Sequence, residues 1–247
     1  YSGKIFKLEC HLERLLQSAR SIFIDVPMTK NEIRSAINAS IRLNRLSNSI
    51  VRITITRGKQ DSGININYNT PPTVVIFARP LEKIPKKIYK NGVGIKLFKN
   101  SGIQIQGVPN QIKSCNYLSN ILLRERAIKD GCFESILLDH NNNITEGTIS
   151  NIFIINNNQL KTPLVNEFVL SGITRQVVLD ICRENSISFM EDTITEKNIL
   201  EADEIFLTNS VIGVLPVSQI NHRKLKNTIP GPITKRIGIL LLKSFEE

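Results

Sequence analysis

Tryptophan is absent from this 247-residue chain; histidine occurs three times, cysteine four times and methionine twice. Each shortage narrows the possible functions. Cys10, Cys115, Cys132 and Cys182 form no close pair and no metal-ligand spacing, and so few histidines leave a zinc site without support. Reduced thiols in a cytoplasm fit this pattern best. No apolar run approaches the roughly 18 residues that cross a bilayer, and no secretory leader is visible. The chain opens at Tyr1 rather than Met, so an N-terminal piece carrying the first strands of its domain is expected to be missing.

What is present is an ordinary globular composition. Hydrophobic residues make up 41% of the chain, enough for one large or two modest domains with real cores. The net charge is +10, with basic residues gathered at Lys83, Lys86, Lys87, Lys90, Lys96 and Lys99. Three readings stand side by side: a solvated face, a nucleic-acid surface, or mild steering of anionic substrates. The lysines are not interleaved with stacking aromatics, which favours the solvated face.

Periodicity divides the chain. Lys4-Ile5-Phe6-Lys7-Leu8 reads as a strand, and Leu12, Leu15, Leu16, Ala19 and Ile22 then share one helical face. Thr29 and Glu32 have capping-box spacing ahead of a helix carrying Ile33, Ala36, Ile37 and Ile41. Val51, Ile53 and Ile55 alternate with polar residues, and 73–78 is a second strand. These elements predict a small α/β layer domain over residues 1–88. The Pro- and Lys-rich stretch from Arg79 to Asn91 reads as a linker, and a larger domain is expected over 89–247. Its strands are expected near 94–98, 135–138, 152–155 and 205–208, with helices after Lys113 and near 174–184 and 233–245. His140-Asn141-Asn142-Asn143 and Asn156-Asn157-Asn158 read as hairpin turns, because asparagine tolerates positive φ.

Four short segments could carry chemistry. Lys113 precedes a helix in Lys-Ser-Cys-Asn-Tyr, and Glu146 sits in Ile-Thr-Glu-Gly-Thr-Ile-Ser-Asn. Gly172-Ile173-Thr174 opens the helix of Val177, Val178 and Ile181, and Thr208-Asn209-Ser210 ends a strand. An amine, an acid flanked by glycine and two small-residue loops are the parts of a pyridoxal phosphate site. A helix N-terminus offers free N–H groups to a phosphate. A carboxylate against a pyridine nitrogen favours the protonated ring. Residue by residue, plainer readings come first for Lys113 and Glu146, a surface lysine and a turn glutamate, and an ordinary helix cap is the alternative at Gly172–Thr174.

In this order and spacing the segments resemble the class IV aminotransferases, fold type IV of the pyridoxal phosphate enzymes. The likeness spans nearly the whole chain. It implies an α/β (α+β) two-domain fold with a barrel-like C-terminal domain, pyridoxal 5′-phosphate as cofactor, a cytoplasmic homodimer, and neither nucleic acid nor membrane as partner. It implies Lys113 as the Schiff-base lysine, Glu146 at the ring nitrogen and Tyr117 at the phenolic oxygen. Arg14, Gly172, Ile173, Thr174 and Thr208 would hold the phosphate. Within the family, Asn209-Ser210 looks most like aminodeoxychorismate lyases, with Asn209 as a substrate contact. The loop Thr56–Gly63 resembles some archaeal branched-chain aminotransferases instead. Ser62 stands where D-amino acid aminotransferases and some lyases carry an arginine, which argues against the D-amino acid reading and weakens the lyase one. The expectation is a lyase forming p-aminobenzoate and pyruvate, ahead of a branched-chain aminotransferase.

Overall fold

Lys7 adopts the left-handed conformation (φ 49°, ψ 40°) at the head of helix α1, Leu8–Ser21. A residue in that region cannot continue an extended chain, so the strand expected over Lys4–Leu8 does not form, and Leu8 already belongs to the helix. In the computed structural model the described residues are 3–59, 65–82, 84–99 and 112–245. Ser62 and Lys83 lie outside them. By its contacts the chain divides into two compact units, Tyr1–Lys83 and Ile84–Phe245.

In the first unit, helix α2 (Lys30–Leu43) begins with the expected capping box. The Thr29 side chain accepts from the Glu32 backbone N–H, and the Glu32 carboxylate accepts from Thr29 N at 2.7 Å. Strands β1 (Ser49–Thr56) and β2 (Thr73–Pro80) pair antiparallel with Ile53 opposite Ile76. Leu12 of α1 and Ile33 and Ile37 of α2 form a core against which Val51, Ile53 and Ile76 pack. Two exposed ion pairs, Lys30–Glu13 at 2.8 Å and Arg34–Glu9 at 2.5 Å, link the helices; pairs so open to water contribute little.

The second unit begins inside the stretch read as a linker. Lys86–Asn91 is a short helix, α3, whose Ile88 and Tyr89 pack against the larger core. After it come β3 (Val93–Phe98), α4 (Leu118–Lys129), β4 (Glu134–Leu138), β5 (Asn143–Gly147), β6 (Asn151–Asn156), β7 (Gln159–Thr162) and α5 (Ile173–Glu184). Then follow β8 (Phe189–Glu191), β9 (Ile194–Thr195), α6 (Glu196–Leu200), β10 (Glu204–Asn209), β11 (Gly213–Ile220), β12 (Arg223–Lys224) and α7 (Pro232–Ser244). The main sheet runs β8-β7-β6-β10-β11-β3-β4-β5-β9, with β12 beside β11. Ile152 and Ile154 of β6 share one core with Ile144 of β5 and Ile194 of β9, strands far away along that path. The sheet therefore curls until its inner face closes on itself, as the resemblance implies.

Both asparagine turns form as expected. Asn157 and Asn158 have φ of 50° and 61° between the paired Asn156 and Gln159, a two-residue hairpin of the primed kind. Asn142 has φ 61° in the other turn, where Asp139 accepts from the N–H groups of Asn141 and Asn143, each at 2.8 Å. Pro216 lies inside β11, where a proline usually breaks the ladder. Pro216 pairs with Phe206 of β10, and pairing to β3 begins only at Val217, so at the proline the ladder is needed on one side only.

Replacing Thr29 with alanine should cost about 1 kcal/mol, the usual loss of an N-cap. Chemical denaturation of the two proteins would show this as a lower midpoint with an unchanged slope.

Candidate active site

The site of the larger unit is built on the register of β6 and β10. Asn151 stands opposite Thr208, Phe153 opposite Phe206, and Ile152 opposite Leu207. Alternation sends Ile152, Ile154, Ile205 and Leu207 into the interior of the curled sheet. Asn151, Phe153, Phe206 and Thr208 take the other face, where the two phenylalanine rings stack with centroids 4.8 Å apart. A polar pair is thus set at the end of a fully buried strand pair.

Asn151 gathers its surroundings. Its Nδ2 donates to Glu146 Oε2 at 3.1 Å and to the Leu170 carbonyl at 3.0 Å. Any side chain at Gly172 would strike Asn151 Oδ1, so glycine is required there by close approach. Gly172 is the N-cap of α5, so the cap residue itself offers that helix no side-chain bond. Half-buried Ile173 and buried Thr174 occupy its first turn, whose N–H groups have no intrahelical acceptors. Thr208 is buried, and its Oγ1 has no hydrogen-bond partner among the described residues. A buried hydroxyl without a partner is costly, and here it shares a face with the residue that touches the open helix end.

Glu146, the last residue but one of β5, receives a second bond from Leu170 N at 2.9 Å, also on Oε2. Among the described residues both of these bonds fall on the same oxygen. Burial pushes this carboxyl up from 4.5 to about 7, aided by the like charge of Glu134; the Leu170 hydrogen bond and the Lys113 and Arg175 cations oppose the rise. Lys113 is exposed and donates through Nζ to the Tyr117 hydroxyl at 2.8 Å. Tyr117 is half-buried and forms the N-cap of α4. Amine, phenol and acid therefore belong to one electrostatic neighbourhood. Arg14 lies half-buried on α1, in the smaller unit.

Asn209 is occupied within its own loop. Its Oδ1 accepts from Val211 N at 2.8 Å and Ile212 N at 2.9 Å, while Nδ2 donates to the Ile149 carbonyl at 3.1 Å. The amide joins the loop after β10 to the turn after β5. Tyr89 of α3 secures the same loop by donating to the Ile212 carbonyl at 3.0 Å.

Three residues escaped the reading of the sequence. Asn151 was visible only as part of a motif. Arg175 reads as a surface residue of a helix but is buried, donating to Pro163 O at 2.8 Å and Glu191 Oε2 at 2.5 Å. Glu134 is fully buried; the available signal was a charge at the head of the apolar run Ile136-Leu137-Leu138. No group of side chains among the described residues could hold a metal ion, and no helix there is long and apolar enough to cross a membrane.

Comparison with known proteins is consistent across sequence and structure. The profile of the family described as amino-transferase class IV matches residues 1–220. A Methanocaldococcus jannaschii protein provisionally named a branched-chain-amino-acid aminotransferase is 34% identical over 237 residues, covering 96% of this chain and 81% of the relative. The D-alanine aminotransferase of Bacillus licheniformis is 32% identical, over 99% and 84% of the two chains. Among solved structures, the branched-chain amino acid aminotransferase of Escherichia coli superposes with a TM-score of 0.89 at 28% identity, covering 94% of this chain and 77% of that one. A Legionella pneumophila protein provisionally named 4-amino-4-deoxychorismate lyase gives 0.88 at 26%, over 98% and 87%.

The state of Glu146 makes stability depend on pH. Its folded value lies above 4.5, so the folded protein keeps this proton longer than the unfolded chain. The contribution is fully present below pH 4.5 and is lost as pH rises through about 7. In cofactor-free protein, Glu146→Gln should flatten that part of the profile and exceed the wild type above pH 7 by roughly 1–3 kcal/mol. Denaturant titrations across this range would measure the difference.

Proposed function

The chain belongs to the class IV aminotransferases, pyridoxal 5′-phosphate enzymes, and we propose that it is a transaminase passing the amino group of leucine, isoleucine or valine to 2-oxoglutarate. The observation that carries this reading is the Lys113 amine donating to the Tyr117 hydroxyl at 2.8 Å, its charge acting on the carboxyl of Glu146. When bound, the cofactor supplies an electron sink for negative charge at the substrate α-carbon.

The residues suit that group. Glu146 would meet the ring nitrogen, its Oε2 being fixed by Leu170 and Asn151. The first turn of α5 at Gly172, Ile173 and Thr174 and the hydroxyl of Thr208, unpartnered among the described residues, are assigned to the phosphate; the family resemblance alone adds the guanidinium of Arg14. With the cofactor bound, Lys113 Nζ would hold it, and its amine would be the base that takes a proton from the substrate α-carbon. Tyr117 orients that amine and is assigned to the phenolic oxygen. The active assembly is taken to be a homodimer; sedimentation as a fully active monomer at micromolar concentration would count against it.

Transamination is favoured over elimination because the lyase reading depends on the Asn209 amide, which is bonded to Val211, Ile212 and Ile149. Two relatives above 30% identity also carry aminotransferase names. Aminodeoxychorismate lyase remains the second reading, supported by the Asn209-Ser210 loop and by the Legionella neighbour.

One experiment separates them. The protein is incubated with leucine, isoleucine or valine and 2-oxoglutarate, and in parallel with aminodeoxychorismate. Glutamate formation without p-aminobenzoate is expected; the reverse would establish the lyase. Lys113→Ala should abolish the visible cofactor band while leaving the fold intact. Arg14→Ala should weaken cofactor binding by about 1.5–3 kcal/mol.

A further inference from the structure

A carboxylate removed from water is stable only if its oxygens are met by donors. Glu134, at the start of β4, is 0% exposed. It accepts from Ser135 N at 2.9 Å, from Thr148 Oγ1 at 2.5 Å and from Ser150 Oγ at 3.0 Å. Arg124 of α4 pairs with it at 3.5 Å. Two of the three hydrogen bonds therefore reach one short turn, 147–150, which joins β5 to β6. A side chain at Gly147 would strike Ser150 Oγ and crowd Glu134, so the turn fits closely against the acid. The turn is also closed by Gly147 N donating to Ser150 O at 2.7 Å and tied to α4 by Asn120 Nδ2 donating to Thr148 O at 2.8 Å.

The residues at the two ends of this turn are Glu146 and Asn151, bonded to each other at 3.1 Å. We propose that Glu134 is a positioning residue for the ring acid: it grips Thr148 and Ser150 so that Glu146 and Asn151 keep their mutual geometry. The proposal rests on the assignment of Glu146 to the cofactor ring. A carboxylate suits the task because both oxygens accept, whereas an amide would turn an N–H group toward one hydroxyl. The charge also acts at a distance. Glu146 faces Lys113 from the segment before α4, Arg175 from α5 and Glu134 from β4, and Glu134 alone among these opposes its ionisation.

A purely architectural acid would behave like Glu204, which is equally hidden but serves α7 by accepting from Ile233 N at 3.1 Å and Thr234 N at 2.8 Å. The test compares Glu134→Gln with Glu204→Gln. In full-length protein freed of cofactor, the Glu146 carboxyl is followed by carbon NMR, its resonance identified by loss in Glu146→Gln. Glu134→Gln should lower the Glu146 midpoint by about half a pH unit or more, by removing a like charge, while Glu204→Gln leaves it in place. The double variant Thr148→Val, Ser150→Ala keeps the charge but cuts the grip. It should speed hydrogen exchange at the Leu170 amide, which donates to Glu146. An unmoved midpoint in Glu134→Gln, equal shifts in both glutamine variants, or unchanged Leu170 exchange in the double variant would overturn the proposal. If Glu146→Gln leaves the pH dependence of the holoenzyme's visible band intact, the ring assignment fails instead, and the titration result is read separately.

Discussion

Asn151 lies opposite Thr208 across β6 and β10, and the polar groups around this pair take their place from that register. A slip of one residue would turn Asn151 into the apolar interior and bring Ile152 out beside Gly172. The stacked Phe153 and Phe206 rings and the buried isoleucines and leucine of the same strands make such a slip expensive. The core therefore does more than stabilise. By fixing which residues face which side, it delivers an amide, a hydroxyl and an open helix end to one place.

Three glutamates in the larger unit, two buried and one half-buried, show how donor supply separates architecture from chemistry. Glu204 meets backbone N–H groups at the head of α7, and Glu134 meets two hydroxyls and an N–H. In each, both oxygens have donors. Glu146 receives both of its bonds on one oxygen, and burial holds its proton to about pH 7. An acid left incompletely satisfied inside a protein is positioned for a further partner. That incompleteness, rather than burial alone, distinguishes it from its neighbours.

Much of the architecture could be read from local chemistry. The Thr29 capping box, the asparagine turns and the alternating strand at Val51 depend on nearby residues, and each forms as expected. The failures are of another kind. Lys7 takes a left-handed conformation, so an apparently extended segment becomes a helix start. Helix α3 exists because Ile88 and Tyr89 find a distant core, a fact absent from the proline- and lysine-rich stretch around them. The family motifs pointed to Lys113, Glu146, Gly172 and Thr208. They could not reveal that Glu134, 12 residues before Glu146, turns its carboxylate to Thr148 and Ser150, because that contact depends on tertiary packing.

The central strand β3 has a consequence for how the chain is made. It runs parallel to β4 on one side and to β11 on the other. At this seam Leu97 N donates to Asn221 Oδ1, bridging residues 124 apart in sequence. During synthesis the edge facing β4 can be covered early, while the opposite edge has no partner until residues 213–220 have emerged. Such distant pairing carries a large loop-closure entropy and forms late. The nascent chain thus presents an open, apolar strand edge until β11 emerges, the kind of surface on which unfolded chains join one another and chaperones act.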